Sequence, residues 1–163
     1  VYEVAREATE IEGVEISARY AVSDTVRLGG AYASLEGRSD TNDDGKVDTD
    51  LDGANISPDR LILWGESDLS DALSLRVQAG RYFEHQFPIQ PPPIGDANNF
   101  EGYDLVDAIV VWRAGFGDVS LGVQNLLDAD YISYNSDTTR PTDNAAYFAG
   151  RGRTVTLGLT RRF

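Results

Sequence analysis

The sequence contains no cysteine, no methionine and a single histidine, His85. Without cysteine there is no disulfide framework, no thiolate zinc site and no cysteine nucleophile. No run of about 18 apolar residues occurs and no basic-then-apolar leader opens the chain, so neither a membrane helix nor a signal peptide is read from it. Basic residues are scarce: 14 Lys and Arg stand against 27 Asp and Glu, for a net charge of −13. Nucleic acid, which calls for basic stripes, is thereby excluded as a partner. An acidic surface also keeps an exported protein soluble, so the charge by itself names no partner. The motifs GxSxG, HExxH and GxxxxGK[ST] are all missing, and carboxylates are too abundant for any pair to stand out. No enzyme is read here.

What is present is β structure: sixteen Gly, eight Tyr and six Phe, with apolar residues recurring at a period of two and hardly any at helical spacing. Seven strands are expected. They run over about 11–22, 25–36, 60–69, 72–84, 102–114, 118–127 and 152 to the end. In the first, Val14, Ile16, Ala18, Tyr20 and Val22 alternate with Glu15, Ser17 and Arg19. In the second, Val26, Leu28, Gly30 and Tyr32 oppose Arg27, Gly29, Ala31 and Ala33. Leu73, Leu75 and Val77 share a face of the fourth, and Val106, Ala108, Val110 and Trp112 one of the fifth. Residues 1–10 fit either an extension of the first strand or a short helical turn.

The connections alternate short and long. Ser23-Asp24, Ser70-Asp71 and Gly115-Phe116-Gly117 carry the residues of tight hairpins. About 37–59, 87–101 and 128–150 are long. In an up-and-down meander all short turns then fall at one end, together with the C-terminus, and all long loops at the other. That is the plan of an outer-membrane barrel. Because bacterial single-chain barrels use even strand numbers, seven strands read better as a segment of a larger transmembrane barrel. A chain opening on VYEVAREATE is likewise expected to be a piece of something longer. A lipocalin-like barrel or a sandwich is the soluble alternative.

The stretches GVQNLLDADYISY, residues Gly122–Tyr134, and YFAGRGRTVTLGLTRRF, residues Tyr147–Phe163, resemble the end of the TonB-dependent outer-membrane receptors, which import ferric siderophores, cobalamin and some glycans. Asn125, Leu126, Leu127, Asp128 and Tyr131 match the family's Asn-Leu-hydrophobic-Asp-x-x-Tyr. Gly152-Arg153 match the opening of its last strand. Upstream, EGVEIS (Glu12–Ser17) and SPDRLILW (Ser57–Trp64) resemble a strand opening and a Pro-containing return from a long loop. The resemblance implies a bacterial outer-membrane location, lipid around the barrel and a ferric siderophore held by extracellular loops. It also implies an N-terminal plug domain, absent from these residues, through which a periplasmic energy-coupling complex would act. Thr156, Gly158 and the terminal Phe163 match the strand signal that the barrel-assembly machinery reads. Arg161 stands where an apolar residue is usual and could snorkel.

Candidate site residues fall in the long loops. Asp40, Asn42, Asp44, the Lys46 carbonyl and Asp48 occupy positions one, three, five, seven and nine of a calcium loop, with Gly45 at the bend. Position twelve is Leu51, where a bidentate acid belongs, although Asp50 and Asp52 flank it. The expectation is a weak calcium site, and the alternative is a solvated acidic tip. The second long loop is apolar and carries three consecutive prolines, so Phe83 and Phe87 are candidates to cap the mouth or touch a ligand. Tyr82, Tyr134 and Tyr147, with Arg140, are the loop-base residues that the resemblance implies for the ferric complex, the alternative being an interfacial aromatic girdle. His85 reads as a solvated residue. Two other functions remain open: a small passive outer-membrane barrel, and a soluble calcium-binding β module. A soluble module must bury the Val106–Trp112 face under a second layer, which makes that face the discriminating feature.

Overall fold

A computed structural model describes residues 7–51, 55–86, 99–138 and 148–161. Period-two patterning is realised as strands β1 (Thr9–Ala21), β2 (Val26–Ser39), β3 (Thr49–Asp50), β4 (Arg60–Ser70), β5 (Leu73–Tyr82), β6 (Tyr103–Ala114), β7 (Gly117–Gln124) and β8 (Thr154–Thr160). One short helix, α1 (Tyr134–Thr138), lies in the third long loop. All strands form one antiparallel sheet in the order β1-β2-β4-β5-β6-β7-β8, with β3 hanging on β2. The seven expected strands are therefore present in an up-and-down meander.

Three differences have local causes. β2 runs on to Ser39 because β1 and β3 pair with its end, through Thr9↔Ser39 and Thr49↔Ser39. β7 stops at Gln124 because Asn125 turns to a left-handed backbone, φ 49°. β1 begins at Thr9, in the extended alternative for the N-terminal stretch, while residues 1–6 lie outside the described ones.

The short connections join β1 to β2, β4 to β5 and β6 to β7, all at one end of the sheet. In the first, the Ser23 hydroxyl accepts the Thr25 and Val26 amides at 3.2 and 3.1 Å. In the second, the Ser70 hydroxyl accepts the Ala72 amide. Thr160 pairs with Asp118, beside the third turn, so β8 also ends there.

The register carries the alternation across strands. One face aligns Ile16 with Tyr32 and Leu61, Gly30 with Leu63 and Ala79, and Val77 with Ala108 and Val123. It continues through Val110, Leu121 and Leu157. The opposite face carries Glu15, Arg19, Arg27, Glu66, Arg76, Gln78, Asp107, Ser120 and Thr156 in the same rows. Nothing covers the apolar face among the described residues: Ile16 is 62 % exposed, Leu63 51 %, Leu121 47 % and Leu157 75 %. Among the described residues no second layer lies over the Val106–Trp112 face either, and Trp112 is 49 % exposed. Among the described residues the few buried apolar side chains, Ile56, Phe100 and Tyr134, lie at the long-loop end, not between layers. Among the described residues no helix is long and apolar enough to cross a membrane, which says nothing about crossing by strands.

Candidate functional site

The apolar face has aromatic borders. At the short-turn end Trp112 meets Phe116 edge-to-face with centroids 6.1 Å apart, and Tyr20 stands exposed. At the long-loop end Tyr32 meets Phe83 at 6.3 Å, the Tyr32 hydroxyl donates to Asp59 at 3.1 Å, and Arg81 lies over the Phe83 ring. Between these borders β5 runs ten residues, about 33 Å at ~3.3 Å per residue. Tilted by about 40°, that length spans ~25 Å, the height of a barrel's apolar band between its aromatic girdles.

The polar face is built in tiers. At the long-loop end Tyr82 stacks on Tyr103 at 4.6 Å, and Tyr103 on Tyr131 at 4.4 Å. Phe100 meets both Tyr103 and Tyr134 edge-on, at 5.8 and 5.0 Å. These rings tie the second long loop to the third, helped by the paired backbones of His85 and Phe100 and of Ile132 and Ala149. A hollow of about 540 Å³ opens beside them, lined by Phe100, Tyr131, Glu101, Asp130 and Asp137. The Asp137 carboxyl is pushed up from its ordinary value by burial first and then by the charge of Glu101.

Below the rings, Asn125 explains why its motif has an Asn. It is 4 % exposed, and its side chain accepts from the Ala129 amide at 2.9 Å. It donates to the carbonyls of Ala129 and Arg151 at 2.9 and 3.2 Å. Its own amide donates to Asp107 at 2.9 Å. Asp128, also left-handed at φ 56°, accepts the Arg153 amide at 2.9 Å. The Asn-Leu-Leu-Asp stretch therefore locks the exit of β7 to the approach of β8, and its role is positional.

At the short-turn end of the same face runs a ladder of charges. Arg27 lies 3.4 Å from Glu66 and 3.2 Å from Asp68. Arg76 binds the other oxygen of Glu66 at 2.6 Å, and Arg113 approaches Asp68 at 3.8 Å. The Trp64 ring lies between Arg19 at 5.4 Å and Arg76 at 5.2 Å. Gly29 makes room for it, because a Cβ there would collide with the indole. Charged groups in rows like these need water, since facing lipid they would be costly. Sequence reading missed this ladder. The alternation placed Arg19 and Arg27 opposite the apolar residues and assigned no face to Glu66, Asp68, Arg76 or Arg113, and only the register, Arg27↔Glu66 and Glu66↔Arg76, shows that opposite charges meet.

Of the sequence candidates, Tyr82 and Tyr134 are brought into one ring cluster, with Tyr134 buried in it. Phe83 points to the other face, against Tyr32. Phe87, Arg140, Tyr147 and Phe163 lie outside the described residues. Thr156 and Gly158 sit on the polar face of β8, opposite Gly122 and Ser120. In the acidic loop the Asp40 carboxylate accepts the amides of Asp44 and Gly45 at 3.2 and 2.8 Å, Asn42 accepts that of Asp44, and Asp44 that of Lys46. A cation there would share Asp40 with the loop's own backbone. Among the described residues no group of three or more His, Asp or Glu side chains is arranged to hold a metal ion.

No protein-family model matches the chain. In three dimensions it is similar to the ferric-catecholate import receptor Fiu of Escherichia coli K12. The open form superposes with a TM-score of 0.64 at 22 % identity, over 91 % of this chain and 20 % of the receptor. The closed form gives the same TM-score at 23 % identity and the same coverage. This chain thus spans about one fifth of the length of the protein it matches. It is folded like a β-barrel segment of that import receptor, and the resemblance to TonB-dependent receptors read from the sequence is met by its fold.

Proposed function

We propose that the chain is wall and loop of an outer-membrane receptor that imports ferric siderophores. The observation that carries this reading is the apolar face: it crosses all seven long strands, is bordered by aromatics about one membrane apart, and has no protein layer over it among the described residues. Water is a poor solvent for such a face, and lipid a good one. The likeness to an import receptor rather than to an enzyme or soluble module supports the same conclusion.

In this reading the short turns lie in the periplasm and the long loops outside the cell. The two open edges, β1 and β8, would close on further strands of one barrel, because backbone groups exposed to lipid must pair. A plug domain and its energy-coupling complex would act on the polar face. The barrel-assembly machinery would read β8 through Thr156, Gly158 and Phe163. The ring cluster of Tyr82, Tyr103 and Tyr131 would floor the ligand's entry, and Phe87, Arg140 and Tyr147, outside the described residues, stay candidate contacts by sequence alone.

The test is uptake of radiolabelled ferric siderophores by cells carrying or lacking the intact gene. Outer-membrane fractionation is run in parallel. Iron uptake that depends on the gene, with the protein in the outer-membrane fraction, is the expected result. A protein recovered from the soluble fraction would overturn the membrane reading. An outer-membrane protein with no effect on ferric uptake would favour a passive barrel.

A further inference from the structure

The negative charge of this chain is concentrated at one end of the sheet. In the three long loops, residues 37–59, 87–101 and 128–150, 13 Asp and Glu stand against 3 Lys and Arg, so these loops carry 10 of the 13 net negative charges. The described basic side chains there are already committed. Arg38 lies 3.2 Å from Asp50 and Lys46 3.6 Å from Asp44, and Arg153, just before β8, lies 3.6 Å from Asp128. The hollow of about 540 Å³ beside the ring cluster has the same bias. Glu101, Asp130 and Asp137 line it together with the rings of Phe100 and Tyr131, and among the described residues no Lys, Arg or His does.

The walls of the hollow favour an organic cation over a bare metal ion. Among the described residues no three carboxylates are arranged to hold a metal ion, whereas a cavity of this volume, within the ~300–1,000 Å³ of small-molecule sites, admits a whole organic group. An ammonium or guanidinium is drawn to an aromatic ring within about 6 Å of its centroid as well as to carboxylates. The Asp137 carboxyl is already raised by burial and then by Glu101. A further anion in the hollow would add to that repulsion, and a cation would relieve it. The likeness to a ferric-catecholate receptor is one of fold and does not set the charge of the cargo. Catecholates bind Fe(III) doubly ionised, so their complexes are polyanions. Hydroxamates bind it singly ionised, so a tris-hydroxamate complex is neutral and an amine on its chain makes it cationic. A mouth of one sign concentrates ligands of the other.

We propose that the long-loop end selects ferric complexes carrying an organic cation, an ammonium or guanidinium received by this hollow, and disfavours polyanionic ones. The inference rests on the import reading and names the charge class of its cargo.

The test is a set of fluorescence-quenching titrations of the full-length protein in a non-ionic detergent. Three probes are used: ferrioxamine B, a tris-hydroxamate with a pendant ammonium; its N-acetylated form, which lacks only that charge; and ferric enterobactin, a tris-catecholate. Ferrioxamine B should bind about tenfold more tightly than the acetylated form, and ferric enterobactin more weakly than either. Glu101→Gln combined with Asp130→Asn should bring the two hydroxamates within about threefold of each other by weakening ferrioxamine B alone. Retained binding of the acetylated form shows that this double variant is folded. Asp24→Asn, which removes a carboxylate at the short-turn end, should leave the ratio unchanged. Equal affinity for the two hydroxamates, tighter binding of ferric enterobactin, or an unchanged ratio in the double variant would overturn the proposal and leave the import reading standing. Failure of all three complexes to bind would overturn both.

Discussion

The two faces of this sheet share every strand and almost nothing else. On one, Leu63, Val77, Leu121 and Leu157 face only apolar residues or glycine in the neighbouring strands. On the other, Arg27, Glu66, Arg76 and Asp68 answer one another across strands at 2.6–3.4 Å. A period of exactly two residues separates the solvents, so a shift of one position would exchange them. The lesson is that the apolar face is specified by composition and the polar face by pairing. Substitutions should therefore act differently on each.

The largest expected effect is a charge placed on the apolar face. Leu121→Arg, in mid-strand beside Val110 and Leu157, should cost about 2–4 kcal/mol in lipid. Ser120→Arg, one residue away on the polar face, should stay within about 0.5 kcal/mol. Reversible urea unfolding in lipid vesicles measures both, and equal costs would break the distinction between the faces. Next comes Asn125→Ala, which strands the Ala129 amide and the Ala129 and Arg151 carbonyls and leaves Ala in a left-handed backbone. About 2–3 kcal/mol is expected by the same assay, with Asn125→Asp intermediate because it keeps the acceptor. Smaller again is Gly29→Ala. Its methyl would displace the Trp64 indole from between Arg19 and Arg76, costing about 1–2 kcal/mol. The emission of Trp64 should shift, read in a Trp112→Phe background so that one indole reports.

The strands and their faces were legible because alternation is a local signal repeated over ten or more residues, as from Val14 to Val22. The segregation of turns and loops was legible from Ser23-Asp24, Ser70-Asp71 and Gly115-Phe116-Gly117. What could not be read were features made by residues far apart. β3 exists only because Thr49 and Asp50 reach the end of β2, and two residues carry no period. The helix at Tyr134–Thr138 is a single turn held among rings. Tyr82 and Tyr134 were named as aromatics near loop bases, but Tyr103, which connects them through Phe100, was counted only as a strand residue. Phe83 was grouped with Phe87 as an apolar loop residue, whereas next to Tyr82 at the end of β5 it falls on the opposite face, against Tyr32. The charge ladder needed the register, which a single sequence does not print.

The smallest effect should appear where the polar face passes into the loops. Asp137 on α1 has its carboxyl raised above the ordinary value of 3.8, by burial and by Glu101. The folded loop therefore binds this proton more tightly than the unfolded chain does. Its contribution is complete below the ordinary carboxylate value and is lost as pH rises through the raised folded value. Docking of α1 against Phe100, through Tyr134, should accordingly be tighter at acidic than at neutral pH. Amide hydrogen exchange of residues 131–138, corrected for intrinsic rates at each pH, should show more protection at the acidic end. Asp137→Asn, neutral throughout, should flatten that dependence, and Glu101→Gln should reduce it in part by removing one of its two causes. If protection in Asp137→Asn still fell as pH rose, Asp137 would not be the source of the dependence. In that case the contrast between the faces would stop at the strands, and the hollow above them would obey the titration of the loops alone.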